Sequence, residues 1–131
     1  MKGNNIWVWG LVVILFIGTL IYLTTKAVPE PTTAEAGNTV SVNYTGRLAD
    51  GTVFDSNVDP KFGHVTPFEF VLGSGQVIPG WEKGLLGMKV GEKKTLEIPP
   101  EDAYGEFGVP GVIPGGATLY FDVELLAIKS Q

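Results

Sequence analysis

The sequence predicts an α+β domain, an antiparallel sheet laid over one short helix, carried behind a single membrane-spanning segment. Three observations predict it. Apolar and polar residues alternate in several short runs after residue 38. One segment alone, VIPGWEKGLLGM at 77–88, carries a helical stripe. And residues 6–23, IWVWGLVVILFIGTLIYL, contain no charge.

A helix rises about 1.5 Å per residue, so roughly 20 residues cross a hydrocarbon core about 30 Å thick. Thr24 and Thr25 extend the apolar run before Lys26. Trp7 and Trp9 lie near one end and Tyr22 near the other, where amphipathic rings favour the interface. A cleaved leader has an apolar core of about 7–15 residues, and this run is longer. The small-x-small triplet Ala34-Glu35-Ala36 lies well past it. Residues 1–26 therefore read as an uncleaved transmembrane anchor. Lys2 precedes the span and Lys26 follows it. With the amino terminus added, this slight asymmetry places the N-terminus inside and the globular part outside the cytoplasm.

Residues 27–37, AVPEPTTAEAG, have no apolar period and read as a flexible tether. Residues 38–131 form one domain, long enough for a single modest core. The net charge of −5 belongs to this domain and gives no footprint for nucleic acid. The chain has no cysteine and one histidine, His64, so a zinc site of the His/Cys kind is excluded.

Four strands follow from alternation. Val40, Val42 and Tyr44 share one face, with Ser41 and Asn43 opposite. Asp50-Gly51 then supplies hairpin-turn chemistry. Phe68, Phe70 and Leu72 alternate with Glu69 and Val71, and Leu96 and Ile98 with Thr95 and Glu97. The longest run places Leu119, Phe121, Val123 and Leu125 on one face. A sheet with one apolar face needs a cover, and 77–88 is the candidate. Pro79 suits a first helical turn, Trp81, Leu85 and Met88 form one stripe, and Gly87 suits a left-handed end.

Residues 99–116, PPEDAYGEFGVPGVIPGG, resist regular structure but hold Tyr104, Phe107, Val112 and Ile113. Either these hydrophobes pin a loop down, or they form a rim closing over a groove; the pattern alone does not separate the two.

Familiar chemical motifs are missing. Gly73-Ser74-Gly75 lacks the spacing of a nucleophile elbow, a dinucleotide fingerprint or a phosphate loop. The acids form no convincing pair for general acid–base work. By residue preference alone Trp81, Phe54, Phe68 and Phe121 read as core. Asp55 reads as a turn cap with Ser56, and His64 as a solvated loop residue.

Five stretches together resemble the FK506-binding-protein family of peptidyl-prolyl isomerases: VNYTGRLADGTVFDS (42–56), PFEFVLG (67–73), QVIPGWEKGLLGMKVGEKK (76–94), PPEDAYGEFGVPGVIPGGATL (99–119) and FDVELL (121–126). The resemblance covers 37–128, in the family's order. It implies a five- to six-stranded antiparallel half-barrel wrapped around one short helix, and cis–trans isomerisation of X-Pro bonds without metal or cofactor. By position, Trp81 resembles the indole under the prolyl ring. Tyr44, Phe68 and Phe121 resemble the aromatic walls, with Phe54 beside them and Asp55 the acid at the pocket. Val77 and Ile78 match the edge whose N–H holds a ligand carbonyl, Tyr104 the loop tyrosine, and Val112 and Ile113 apolar loop contacts. The implied partners are proline-containing segments of client proteins, FK506-like macrolides and, through the anchor, a membrane. Two departures stand out: Val109 occupies a loop position often filled by histidine, and 56–66 is longer than in the smallest members.

An amide resists rotation by about 18–20 kcal/mol because resonance gives its C–N bond double-bond character. X-Pro bonds isomerise over tens to hundreds of seconds. A reaction of this kind needs differential stabilisation of the twisted amide and no nucleophile. Two function classes therefore remain: an isomerase, and a module that binds proline segments with little turnover.

Overall fold

The computed structural model describes residues 30–130. The elements in chain order are β1 (Thr39–Arg47), β2 (Val53–Ser56), β3 (Phe68–Val71), α1 (Pro79–Leu85), β4 (Lys93–Ile98) and β5 (Leu119–Lys129). Single 3-10 turns occupy Pro60–Phe62 and Pro100–Asp102. The apolar run at 6–23, with the anchor it predicts, lies outside the described residues. Among the described residues no helix is long and apolar enough to cross a membrane.

All five strands form one antiparallel sheet, and no sixth strand appears among the described residues. β1 is its organising strand. Along one side it pairs with β5 over its whole length, from Thr39↔Lys129 to Arg47↔Tyr120. Along the other side it pairs first with β3 and then with β2. The β1–β2 connection turns at Asp50-Gly51 as the sequence predicts. Leu48 N–H donates to the Thr52 carbonyl at 2.8 Å, and Gly51 takes φ 90°. Asp50 Oδ1 accepts the Thr52 N–H at 2.9 Å, the side-chain-to-backbone bond that favours aspartate in turns.

β2 and β3 meet end to end on β1, and Asn57 closes the seam. It is 2% exposed and fully engaged. Its Oδ1 accepts from Tyr44 N–H at 2.7 Å, and its Nδ2 donates to the carbonyls of Val42 at 3.0 Å and Thr66 at 3.1 Å. A buried amide satisfied this way substitutes for missing ladder bonds and sets the path of the chain on both sides.

β5 buries Leu119, Phe121, Val123 and Leu125, as the alternation predicts. A register shift follows: Val42 pairs with Leu125 and Ser41 with Ala127, which leaves one extra residue on β5. This bulge inverts the phase, so the next buried residue is Ile128.

The helix is shorter than its stripe. Trp81 and Leu85 are buried within it; Met88, 1% exposed, follows after the chain has turned at Gly87 with φ 81°. Two glycines explain how α1 lies so near β4. A Cβ on Gly80 would stand 2.3 Å from Ile98 Cγ2, and one on Gly84 would stand 2.7 Å from Leu96 Cδ1. Spaced four apart, they give the helix a bare flank that fits under the strand.

The second half of the expected tether is part of the domain. Ala34 is 2% exposed and sits in the core. Its N–H donates to the Met88 carbonyl at 2.9 Å, and its carbonyl accepts from Gly87 N–H at 2.8 Å. Gly37 N–H reaches the Leu72 carbonyl at 2.8 Å. Tertiary bonds hold residues 32–37 where composition alone shows only Pro, Thr and Glu.

Candidate functional site

A pocket of about 410 Å³ opens where α1 begins, lined by Tyr44, Phe54, Asp55, Phe68, Gln76, Val77, Ile78, Trp81, Tyr104 and Phe121. This volume falls at the small end of ligand pockets generally. Every element of the domain except β4 contributes a residue or a flanking turn.

Trp81 is the floor. It stands in the first turn of α1 and is 5% exposed. The Tyr44 and Phe121 rings meet the indole nearly edge-on, with centroids 5.1 and 5.2 Å away at 76° and 88°. Phe68 and Phe70 lie 6.0 Å away at tilted angles. Edge-to-face packing satisfies the ring quadrupoles and leaves a walled cup. Phe54 packs edge-on to Phe121 at 5.5 Å and extends the wall. Gly46 admits both rings, because a Cβ there would lie 2.6 Å from Phe54 and 2.8 Å from Phe121. Among the described residues the Trp81 Nε1–H is the one buried side-chain polar atom without a hydrogen-bond partner.

Asp55 is the only carboxylate in the lining. Its Oδ2 accepts from Tyr44 OH at 2.7 Å, and its Oδ1 accepts from Ser56 N–H at 2.8 Å. His64 Nε2 lies 2.8 Å from the same Oδ1. Burial, then the hydrogen bond and charge of Asp55, push the Tyr44 phenol far above its usual range. Tyr44 is thus a fixed neutral donor and not an acid or base at neutral pH.

The opposite rim is built by backbone. Ile78 caps α1, and its carbonyl accepts from Trp81 N–H at 3.0 Å. Its own N–H has no acceptor among the described residues. The turn leading to it is tied down by Glu82, whose carboxylate accepts from Gly75 N–H at 2.9 Å and from Gly73 N–H. Tyr104 closes the far side at 42% exposure.

Nine of the eleven residues that the sequence singles out line this one pocket. Val112 and Ile113 do not. The loop folds back on itself, with Val109 and Ile113 exchanging N–H···O bonds of 2.9 and 2.8 Å. That hairpin turns Ile113 into the core at 5% exposure and leaves Val112 49% exposed. Both readings of 99–116 therefore hold in part: Ile113 pins the loop, and Tyr104 reaches the pocket. Gln76 lines the pocket although the sequence did not single it out; its place immediately before Val77 was the available signal. The contact of His64 with Asp55 was likewise not legible, because it closes between residues nine positions apart across an irregular loop.

A family model described as FKBP-type peptidyl-prolyl cis-trans isomerase matches residues 30–126. The chain belongs to the FKBP-type peptidyl-prolyl cis-trans isomerase family. Among its relatives, peptidyl-prolyl cis-trans isomerase FKBP15-2 of Arabidopsis thaliana is 57% identical over 98 residues, covering 75% of this chain and 58% of the plant protein. Human peptidyl-prolyl cis-trans isomerase FKBP2 is 54% identical over 101 residues, covering 77% of this chain and 68% of the human protein. FK506-binding protein 2 of Yarrowia lipolytica is 53% identical over 108 residues, covering 81% and 72%. The chain thus spans less than two thirds of the plant relative's length. The family match begins at residue 30, in agreement with the FKBP-type domain incorporating Ala34 into its core.

Proposed function

We propose that this FKBP-type domain is a peptidyl-prolyl cis–trans isomerase acting on X-Pro bonds of unfolded or nascent chains near a membrane. The observation that carries the reading is the cup itself: an indole floor, aromatic walls and unpartnered donors at the rim. A prolyl ring resting on Trp81 has its apolar surface covered by Tyr44, Phe68 and Phe121. Ile78 N–H and the Tyr104 hydroxyl hold flanking carbonyls and orient the peptide. The planar amide carries more charge separation than the twisted one, so a pocket poor in water favours the twist. Each tenfold in rate needs about 1.4 kcal/mol of that difference. The same cup suits FK506-like macrolides, which is also what the relatives' names suggest.

The test is the isomerisation rate of a short X-Pro peptide with the full-length chain in detergent. Enhancement over the uncatalysed rate supports an isomerase. Tight binding without enhancement supports the second reading, a proline-segment binder. Tyr104→Phe removes one partly exposed hydroxyl and leaves the ring. It lowers kcat/KM by about three- to ten-fold, the worth of one hydrogen bond of 0.5–1.5 kcal/mol, with unfolding in urea unchanged.

Residues 1–26 are proposed as a single-pass anchor that leaves the domain on the extracytoplasmic side. In sealed vesicles with their cytoplasmic face outward, added protease then leaves the domain intact until detergent opens them. Digestion of the domain in such vesicles while they are still sealed contradicts this orientation, and release of the chain by alkaline extraction contradicts the anchor.

A further inference from the structure

The loop between β2 and β3 carries His64 to the edge of the pocket, against the Asp55 carboxylate at 2.8 Å and with its ring 6.4 Å from that of Tyr44. One carboxylate thereby joins an aromatic wall to an imidazole outside the lining. The two side chains are 45% and 40% exposed, so both are open to a bound segment passing this edge. Among the described residues, the titratable groups packed against His64 are Asp55 from β2 and Tyr44 from β1. Within its own loop, Asp59 accepts from Lys61 N–H at 3.1 Å, and the Lys61 ammonium rests 5.2 Å from the Phe62 ring centre. Glu82, beneath the turn on the opposite rim, accepts from two glycine N–H groups. The lining itself contains no cation. The charge that a substrate meets at this edge is therefore set by Asp55 and His64 together.

We propose that His64 is a specificity-determining positioning residue: with Asp55 it makes a rim that prefers client segments carrying Lys or Arg beside the X-Pro bond when the imidazole is neutral, and loses that preference when it is protonated. The proposal rests on the isomerase reading. An imidazole Nε2–H donates both in one neutral tautomer and in the cation, so the bond to Asp55 persists and only the net charge changes. Imidazole is the side chain whose ordinary titration falls between about pH 5 and 8. A unit charge roughly 8 Å away, at an effective dielectric between water's and about 20, shifts kcat/KM for one charged peptide by about two-fold to thirty-fold, and the Lys-to-Glu ratio by the square of that factor. Salt reduces this.

The experiment compares three short peptides of one length, with Lys, Ala or Glu beside the same X-Pro bond. The full-length chain in neutral detergent is assayed at low salt near pH 5 and near pH 8. The readout is the Lys-to-Glu ratio of kcat/KM within each protein, so any general loss of activity cancels. The wild-type ratio rises at least three-fold from the lower to the higher pH. His64→Gln, which keeps a donor without a titratable ring, holds the higher ratio at both. His64→Lys, a permanent cation, holds the lower ratio at both. A wild-type ratio that does not change with pH, or a change that survives in His64→Gln, overturns the proposal. Turnover of the Ala peptide tests the isomerase reading separately. If no peptide is turned over, that reading fails, and the same ratios taken from peptide affinities decide the rim.

Discussion

Trp81→Leu lowers kcat/KM for a short X-Pro peptide by about two orders of magnitude while the domain stays folded. The rate loss follows from what the indole does. In the proposed reading it is the floor on which a prolyl ring rests, and Tyr44 and Phe121 stand edge-on to it. A leucine offers a smaller, rounded contact and lets both walls lean inward. A hundred-fold loss corresponds to about 2.7 kcal/mol of transition-state stabilisation, a reasonable share for the floor of the proposed site. The stability cost is bounded by a compensation. Removing a buried aromatic side chain altogether costs about 3–5 kcal/mol, but leucine refills part of the space. The substitution also deletes the indole N–H that has no partner among the described residues, and an unsatisfied buried donor costs about 1–3 kcal/mol. Urea unfolding followed by circular dichroism reads the second quantity, and peptide isomerisation the first. Full activity in a folded Trp81→Leu protein contradicts the role given to the floor.

Gly108→Ala destabilises the domain by about 2–4 kcal/mol, whereas Gly111→Ala, three residues on, costs about 1 kcal/mol. Both glycines hold positive φ, 60° and 77°, so both substitutions meet the same left-handed penalty. They differ in what surrounds them. A Cβ on Gly108 would lie 2.1 Å from the Ile113 carbonyl oxygen and 2.8 Å from that of Pro114, whereas one on Gly111 meets nothing within 4 Å. The obstructing atoms are backbone, so no rotamer change relieves the contact, and the hairpin pairing Val109 with Ile113 must open. Opening it draws Ile113 from the core. It also breaks the 3.1 Å bond from Gly108 N–H to the Tyr104 carbonyl, so Tyr104 loses its place at the pocket. Gly108→Ala therefore lowers kcat/KM by more than Tyr104→Phe does. Equal unfolding free energies for the two alanine variants would show that the clash is relieved at no cost.

The strands were legible because burial imposes a period of two. Val40 and Val42, and Leu119 through Leu125, keep that phase, and all are buried. The pattern failed at Leu126, where an extra residue on β5 inverts it and Ile128 becomes the next buried position. Nothing local announces such a bulge, since it arises from the register between two strands. The end of the tether was missed for a related reason. Ala34 is a small residue among polar ones, and its burial depends on Met88 and Gly87, far along the chain.

The site was legible only in part. Trp81, Phe70 and Phe121 are equally buried, at 4–5% exposure, and no propensity separates the two that line a pocket from the one that lies beneath it. The family resemblance made that separation; the residues alone did not. Val112 and Ile113 share the loop's apolar character, yet the hairpin at 109–113 sends one to the core and the other to solvent.

By itself the sequence determined which residues are apolar, which alternate and where glycine and proline interrupt them, and so an antiparallel sheet with one helical cover. Only the tertiary structure decided which of those apolar groups surround an opening. It also joined Asp55 to Tyr44 and His64, and used Asn57 to bridge β2 and β3. The physical reason is range: alternation is written into adjacent residues by the geometry of one strand, whereas a pocket is the space left where β1, β2, β3, β5, α1 and a distant loop fail to close.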